Sequence, residues 1–118
     1  MFYQVIPTPR FLEVVDYYKR KKRYFKIDDD ISRIVVNLEN GNLLGDEITD
    51  LRLPNYERTY KVRVANTSAN VGKSNGFRLI YYVIKNDTEI YLLTIYSKKD
   101  KENITSKEIL DIINTYCT

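Results

Sequence analysis

The side chains of this chain best suited to chemistry are cations and phenols. Lys61 and Arg63 alternate with Tyr60, Val62 and Val64 in TYKVRVAN, residues 59 to 66. Arg78 sits near the start of GFRLIYYVIK, residues 76 to 85, and Tyr96, Lys98 and Lys99 close EIYLLTIYSKK, residues 89 to 99. Alternate residues of a strand share a face, so Lys61 and Arg63 project together while the apolar residues between them face the helices. Arg78 shares its parity with Ile80 and Tyr82, and Tyr96 shares its parity with Lys98; Lys99 lies past the strand end, where parity no longer decides direction. A sheet face carrying Lys61, Arg63, Arg78, Tyr96 and Lys98 is cationic with aromatic interleaving.

Such a face is either the solvated side of a sheet or an anion-binding surface. Directly opposed residues of an antiparallel pair approach to about 5 Å, and like charges there destabilise the pairing. Among the strand neighbours, only Glu57 and Glu89 near the ends are acidic enough to screen these cations. That weighs towards a bound anion. Arg, Lys and Tyr contact phosphate and sugar, and unpaired bases stack on aromatic rings and guanidinium planes, so single-stranded RNA suits the face. Duplex DNA suits it less, because no basic recognition helix is evident.

Composition narrows the chemistry. The 118 residues include no histidine, which removes Ser/His/Asp catalysis, the usual acid and base of a metal-free ribonuclease, and the commonest metal ligand. Proton transfer must therefore run on Lys, Arg, Tyr or carboxylates, with no cofactor and no metal expected. A single cysteine, Cys117, allows neither a disulfide framework nor a Cys-based metal site. No apolar run approaches the roughly 18 residues of a membrane span, and MFYQVIPTPRF lacks the apolar stretch of a signal peptide. A cytoplasmic protein without a membrane partner is expected, and the sequons at Asn66, Asn86 and Asn103 are read as chance matches. Net charge is +3, from 19 basic and 16 acidic residues, with the acids gathered at Asp28 to Asp30, Asp46 to Asp50 and the C-terminal segment.

The elements that must position these residues follow from periodicity. With 43% hydrophobic residues, the length fits a single domain over 1–118. FYQVI, residues 2 to 6, reads as a short strand, and Thr8-Pro9 as an N-cap followed by proline at the first helical position. Phe11, Leu12, Val14, Val15 and Tyr18 fall at helical spacing, and Lys19 to Arg23 form a cationic end. Asp28, Asp29 and Asp30 favour a second helix start, Ile31, Ile34, Val35 and Leu38 give its buried stripe, and Asn40-Gly41 stops it. Two antiparallel helices are the simplest outcome. Residues 42 to 59 read as a long loop laid over the core by Leu43, Leu44, Ile48 and Leu51. Three strands follow, the last two joined by a tight turn at Asn86-Asp87-Thr88. Thr105 with Glu108 forms a capping box for a last helix of about three turns, with Ile109, Ile112 and Ile113 along one side. The layout is α+β: strand, helix, helix, three-stranded antiparallel meander, helix.

Residues 60 to 104, YKVRVANTSANVGKSNGFRLIYYVIKNDTEIYLLTIYSKKDKENI, together with VIPTPRF at 5 to 11, resemble the RelE-type toxins of the RelE/ParE superfamily, particularly the branch that bears GKSGGFR. The resemblance is specific over about half the chain and topological over the rest. It implies a RelE-like fold and the toxin of a type II toxin-antitoxin system: a ribosome-dependent messenger RNA endonuclease that cuts the codon in the ribosomal A site, inhibits translation, touches ribosomal RNA and is silenced by a cognate antitoxin. In members that cleave, the RNA 2′-hydroxyl attacks the adjacent phosphate without a metal. Lys61 and Arg63 match the two basic residues of the family's Tyr-Lys-Ile-Lys-type strand, and Arg78 matches the arginine of its Gly-Tyr-Arg motif. Lys98-Lys99 falls on the family's Lys-Arg. Where some members place a catalytic Tyr beyond that pair, this chain has Glu102, Asn103 and Ile104, leaving Tyr96 as a substitute from the strand end.

Arg63 and Arg78 are expected to hold the scissile phosphate, each such donor being worth about 10² to 10³ in rate. Crowded cations disfavour one another's protonated forms, which would make Lys61 a usable base, with Lys99 the acid for the leaving 5′-oxygen. Lys73, Lys19, Lys22 and Arg23 are candidate RNA contacts, although a solvated loop lysine accounts equally well for Lys73 and a cationic helix end is the commoner reading of Lys19 to Arg23. Two rivals stand beside this reading: a ParE-like inhibitor that binds DNA gyrase and cleaves nothing, and a degenerate nuclease kept as an antitoxin-binding module. Gly72-Lys73-Ser74 lacks the upstream glycine and following helix of a phosphate loop. The acidic clusters are read as helix capping at Asp28 to Asp30 and as solvated charge at Asp46 to Asp50, and Tyr81 and Tyr91 as packing residues.

Overall fold

The computed structural model describes residues 2–117. Its elements are β1 (Gln4–Pro7), α1 (Pro9–Arg20), α2 (Ile27–Glu39), β2 (Asp46–Glu47), β3 (Glu57–Val64), β4 (Phe77–Ile84), β5 (Glu89–Ser97) and α3 (Ser106–Tyr116), with 3-10 turns at Thr67–Ala69 and Lys85–Asp87. The expected α+β order is present. The five strands lie in the order β1-β5-β4-β3-β2; β1 runs parallel to β5 and all other pairs are antiparallel. Two features extend the expected meander: β1 adds to its outer edge, and two residues inside the long loop pair with β3 as β2.

Local chemistry sets the helix boundaries. Thr8 caps α1, its hydroxyl accepting from the Phe11 amide at 3.2 Å and donating to the Leu92 carbonyl at 2.9 Å. One side chain thus starts the helix and fastens it to β5. Thr105 and Glu108 make the expected reciprocal capping box of α3. The start of α2 departs from expectation. Its N-cap is Lys26, which has no side-chain cap bond; the Lys26 amide donates instead to the Ser68 hydroxyl at 2.9 Å. Asp28 to Asp30 still favour the helix N-terminus electrostatically, but Asp28 pairs with Lys19 and Asp30 turns inward. Nor are the acids at 46 to 50 simply solvated: Glu47 pairs with Arg58 at 3.5 Å, and Asp50 accepts from the Ser106 hydroxyl at 3.0 Å.

The sheet has a core on each face. On one, Phe11, Val15 and Tyr18 of α1 and Ile27, Ile31, Ile34 and Leu38 of α2 pack on Val62, Val64, Phe77, Leu79, Tyr81 and Val83. On the other, Ile109, Ile112 and Ile113 of α3, with Leu51 from the long loop, pack on Ile80, Tyr82, Leu93 and Tyr96. This corrects the expectation that the helices keep to the side opposite the cations. Ile80 and Tyr82 are apolar on the cationic face, and α3 supplies what they bury against. A β-bulge makes the second core possible: Ile80 pairs with Thr94 but Tyr81 with Leu92, so Leu93 is an extra residue. Ile90 and Leu92 face the α1–α2 layer, whereas Leu93 and Tyr96 face α3. Among the described residues, no helix is long and apolar enough to cross a membrane.

Candidate nucleic-acid interface

Strand register brings the cations together. Arg63 pairs with Arg78, and Arg78 with Tyr96, so the three form one row across β3, β4 and β5 on the α3 side of the sheet. Lys61 stands in the next row, opposite Ile80. The expected opposition of like charges is real at Arg63 and Arg78, and its resolution is visible. Arg78 is 5% exposed and turns its guanidinium into the loop before its own strand: Nη1 donates to the carbonyls of Lys73 at 3.0 Å and Phe77 at 3.2 Å, and Nη2 to that of Ser74 at 3.0 Å. Three carbonyl dipoles thus absorb one charge, a fork geometry that suits arginine and not lysine. Arg63 is exposed and has no ion pair among the described residues.

Lys61 is half-buried, and its Nζ donates to Asn103 Oδ1 at 3.4 Å. Across the other strand boundary it lies opposite Asp46 of β2. It lines a pocket of about 170 Å³ with Asp50, Asn103 and Ser106 at the start of α3. Tyr96 is 5% exposed, and its hydroxyl is buried without a hydrogen-bond partner among the described residues. Burial raises its pKa, with the Arg78 charge pulling the other way and Glu108 adding to the rise. Lys101 Nζ stands 5.9 Å from its ring centroid and pairs with Glu108, holding that carboxyl below its usual range. Tyr96 is therefore covered, and a protonated phenol is the stable form beneath α3.

Lys98 and Lys99 are exposed just beyond β5; neither side chain has an ion pair among the described residues. The Lys98 amide continues the ladder to the Gly76 carbonyl at 3.0 Å. Lys73 is exposed in the loop that Arg78 grips, in reach of the same end of the sheet. The cations at and after the end of α1 are already engaged: Lys19 pairs with Asp28, and Lys22, beyond the helix, pairs at 3.3 Å with Asp100, the residue after Lys99, which raises its pKa through their hydrogen bond and charge attraction. Arg23 is exposed with φ 58, a left-handed conformation uncommon for a long side chain. Of these four RNA-contact candidates, Lys73 lies in the loop that Arg78 holds, and Lys22 reaches the end of β5 through its pair with Asp100.

Several site residues escaped sequence reasoning. Asp30, 3% exposed, accepts from the Thr67 hydroxyl at 2.8 Å and the Thr67 amide at 3.1 Å, clamping the 66–71 turn. Gly76 lets β3 and the loop close on each other, because a Cβ there would lie 2.2 Å from the Val64 carbonyl oxygen. Asn103 touches Lys61. A buried aspartate at a helix start has no sequence signature separating it from an ordinary cap; GFR marked Arg78 but not the direction of its guanidinium. Among the described residues no group of three His, Cys, Asp or Glu side chains is gathered for a metal ion.

No family model and no curated protein matches the sequence. Among solved structures, the chain is similar to a mutant of the E. coli toxin RelE in the free state: 18% identity, a TM-score of 0.53, and 96% of this chain aligned to 99% of that one. The likeness covers both chains almost end to end and shows a RelE-like fold.

Proposed function

We propose that this RelE-like chain is the toxin of a type II toxin-antitoxin pair and cleaves messenger RNA in the ribosomal A site. The observation that carries the reading is the Arg63–Arg78–Tyr96 row, with Lys61 beside it and Lys98 and Lys99 at its open end, on one face of the sheet. A single-stranded phosphodiester laid along that end meets exposed cations in sequence. Arg63 takes the scissile phosphate and stabilises charge growing on its non-bridging oxygens. Arg78 holds the Lys73–Ser74 loop against the same end and adds its charge from below. Lys61, acting as the free amine, accepts the 2′-hydroxyl proton as the 2′-oxygen bonds to phosphorus. The phosphorus–5′-oxygen bond breaks, and Lys99 returns a proton to the leaving oxygen, giving a 2′,3′-cyclic phosphate and a 5′-hydroxyl. Tyr96 serves as a wall of the site rather than its base.

Gly72-Lys73-Ser74-Asn75-Gly76-Phe77-Arg78 supports placement in the GKSGGFR-bearing branch. The cognate antitoxin presents acidic or carbonyl-rich surface to the basic end. The test is translation in vitro with primer extension, with and without ribosomes, alongside a gyrase supercoiling assay. Wild type is expected to cut messenger within codons only when ribosomes are present, and Lys61→Ala and Arg63→Ala to lower cleavage by about 10² each. Cleavage by both variants within about threefold of wild type would remove the assigned roles. Inhibited supercoiling with intact messenger would put the gyrase-binding rival in its place.

A further inference from the structure

The row lies on the α3 side of the sheet, but a larger concavity opens at the same strand ends towards the α1–α2 layer. It has a volume of about 390 Å³ and is bounded by Tyr24, Asn66, Asn75 and Ser97, with Lys98 and Lys99 at its edge. Ser97 pairs with Phe77 of the α1–α2 core, and Tyr24 packs against that core. The lysines thus lie between the pocket on one side and the Arg63–Arg78–Tyr96 row on the other. The volume falls within the roughly 300–1,000 Å³ of small-ligand sites.

We infer that this pocket binds one unpaired nucleotide of the RNA, base inside and phosphate on the lysines. Three observations converge. The lining chemistry is an aromatic ring, two primary amides and a hydroxyl, the groups that stack on bases and bond their edges in single-stranded recognition. An amide carries both a donor and an acceptor, as a base edge does. The ring is braced: Tyr24 stacks on Tyr18 at 5.9 Å with planes 19° apart and meets the edge of Phe77, also at 5.9 Å. The cations at the rim are unpaired among the described residues, unlike Lys19 of α1 and Lys22 in the turn after it, so an anion there displaces no carboxylate.

The third observation is how firmly the walls are fixed. The 66–76 segment carries Asn66, Val71 and Asn75, and two buried charges from different elements hold it: Asp30 of α2 through Thr67, and Arg78 of β4 through the Lys73 and Ser74 carbonyls. Asn66 Oδ1 accepts from the Ala69 amide at 3.3 Å, the Asn66 and Val71 backbones bridge, and Asn70 takes the left-handed conformation at φ 57. Burying a charge is costly unless it is paired or well bonded. A mere connection between β3 and β4 would need neither clamp, whereas a pocket that binds without reordering its walls gains affinity from both.

This inference rests on the RNA reading, and its test is binding rather than cleavage, so the two can fail separately. The intact, isotope-labelled chain is titrated with each nucleoside 5′-monophosphate, with inorganic phosphate and with a single-stranded hexaribonucleotide, and amide shifts are followed by NMR. At least one monophosphate is expected to shift Asn66, Val71, Asn75 and Ser97, and to bind about fivefold or more tightly than phosphate, the margin of one or two hydrogen bonds. The hexanucleotide should shift the same amides together with Arg63. Asn75→Ala, at an exposed loop position, should weaken the preferred nucleotide by about fivefold while leaving phosphate binding unchanged. Equal affinity for phosphate and all four nucleotides, or shifts confined to Lys98 and Lys99, would overturn the pocket. Binding of monophosphates but exclusion of the hexanucleotide from these amides would also overturn it, making the site one for a free nucleotide.

Discussion

Arg78 and Arg63 face each other across one pair of strands, and their alanine variants should behave differently. Arg78→Ala removes a buried guanidinium that donates to three carbonyls. Hydrogen bonds to a charged group contribute about 1.5–3 kcal/mol each, but the Lys73 and Ser74 carbonyls are only partly buried and water can replace much of what they lose. The residue's own buried alkyl contacts add to the loss, and relief of the repulsion with Arg63 subtracts from it. A net cost of about 3 kcal/mol is reasonable, which at about 4 °C per kcal/mol for a domain of this length lowers the melting temperature by about 12 °C. Arg63→Ala touches an exposed side chain and should change stability by less than about 0.5 kcal/mol, or about 2 °C. Arg78→Lys should fall between wild type and Arg78→Ala, because an ammonium cannot reach all three acceptors in the arginine fork. Urea and thermal unfolding, paired with cleavage on ribosomes, read both properties. Arg78→Ala melting within about 3 °C of wild type would refute the strut. Arg63→Ala is expected to lose activity without stability, and the reverse outcome would exchange the two roles.

Tyr96→Phe deletes a hydroxyl that is buried without a partner among the described residues, so stability should hold or rise by up to about 1 kcal/mol. Its cleavage rate on ribosomes should stay within about threefold of wild type, and a loss of about 10² would make the phenol a participant. Gly76→Ala forces a Cβ to 2.2 Å from the Val64 oxygen and 2.9 Å from the Asn66 nitrogen. All the crowding atoms are backbone, so a cost of about 1–3 kcal/mol is expected in unfolding experiments, with a melting temperature equal to wild type as the contrary result. Burial raises Tyr18 to about 12 and also raises Tyr60, Tyr81, Tyr82, Tyr91 and Tyr96. The fold holds these protons more tightly than the unfolded chain does. The stabilisation they carry is therefore complete below the ordinary phenol value of about 10 and is lost as pH rises through the raised values. Tyrosinate absorbance should then appear together with loss of tertiary circular dichroism; full tyrosine ionisation in a still-folded chain would contradict this.

Much of the scaffold was legible in local chemistry. Thr8-Pro9 and Thr105 with Glu108 announce their helices because a cap acts within one turn, and strand alternation separates Lys61 and Arg63 from Val62 and Val64 because adjacent side chains of a strand must point apart. These rules need no knowledge of the rest of the chain. Composition likewise limited the chemistry to Lys, Arg, Tyr and carboxylates before any contact was known, because the chain has no histidine.

What tertiary structure alone decided is the meaning of those residues. Along β5, Tyr96 has the same parity as Ile90 and Leu92, and only the extra residue at Leu93 carries it to the face of Arg78. A bulge is chosen by pairing with β4, so no reading of β5 by itself finds it. Arg78 and Arg63 are equivalent as sequence, yet one is a buried strut and the other an exposed cation, because only one turns into a loop whose carbonyls face it. The same holds for Asp30, whose partner Thr67 is 37 residues away, and for α3, which covers the cationic face because Ile80 and Tyr82 must be buried there. Local sequence determines which groups exist and which way they alternate; long-range packing determines which of them remain available to a ligand.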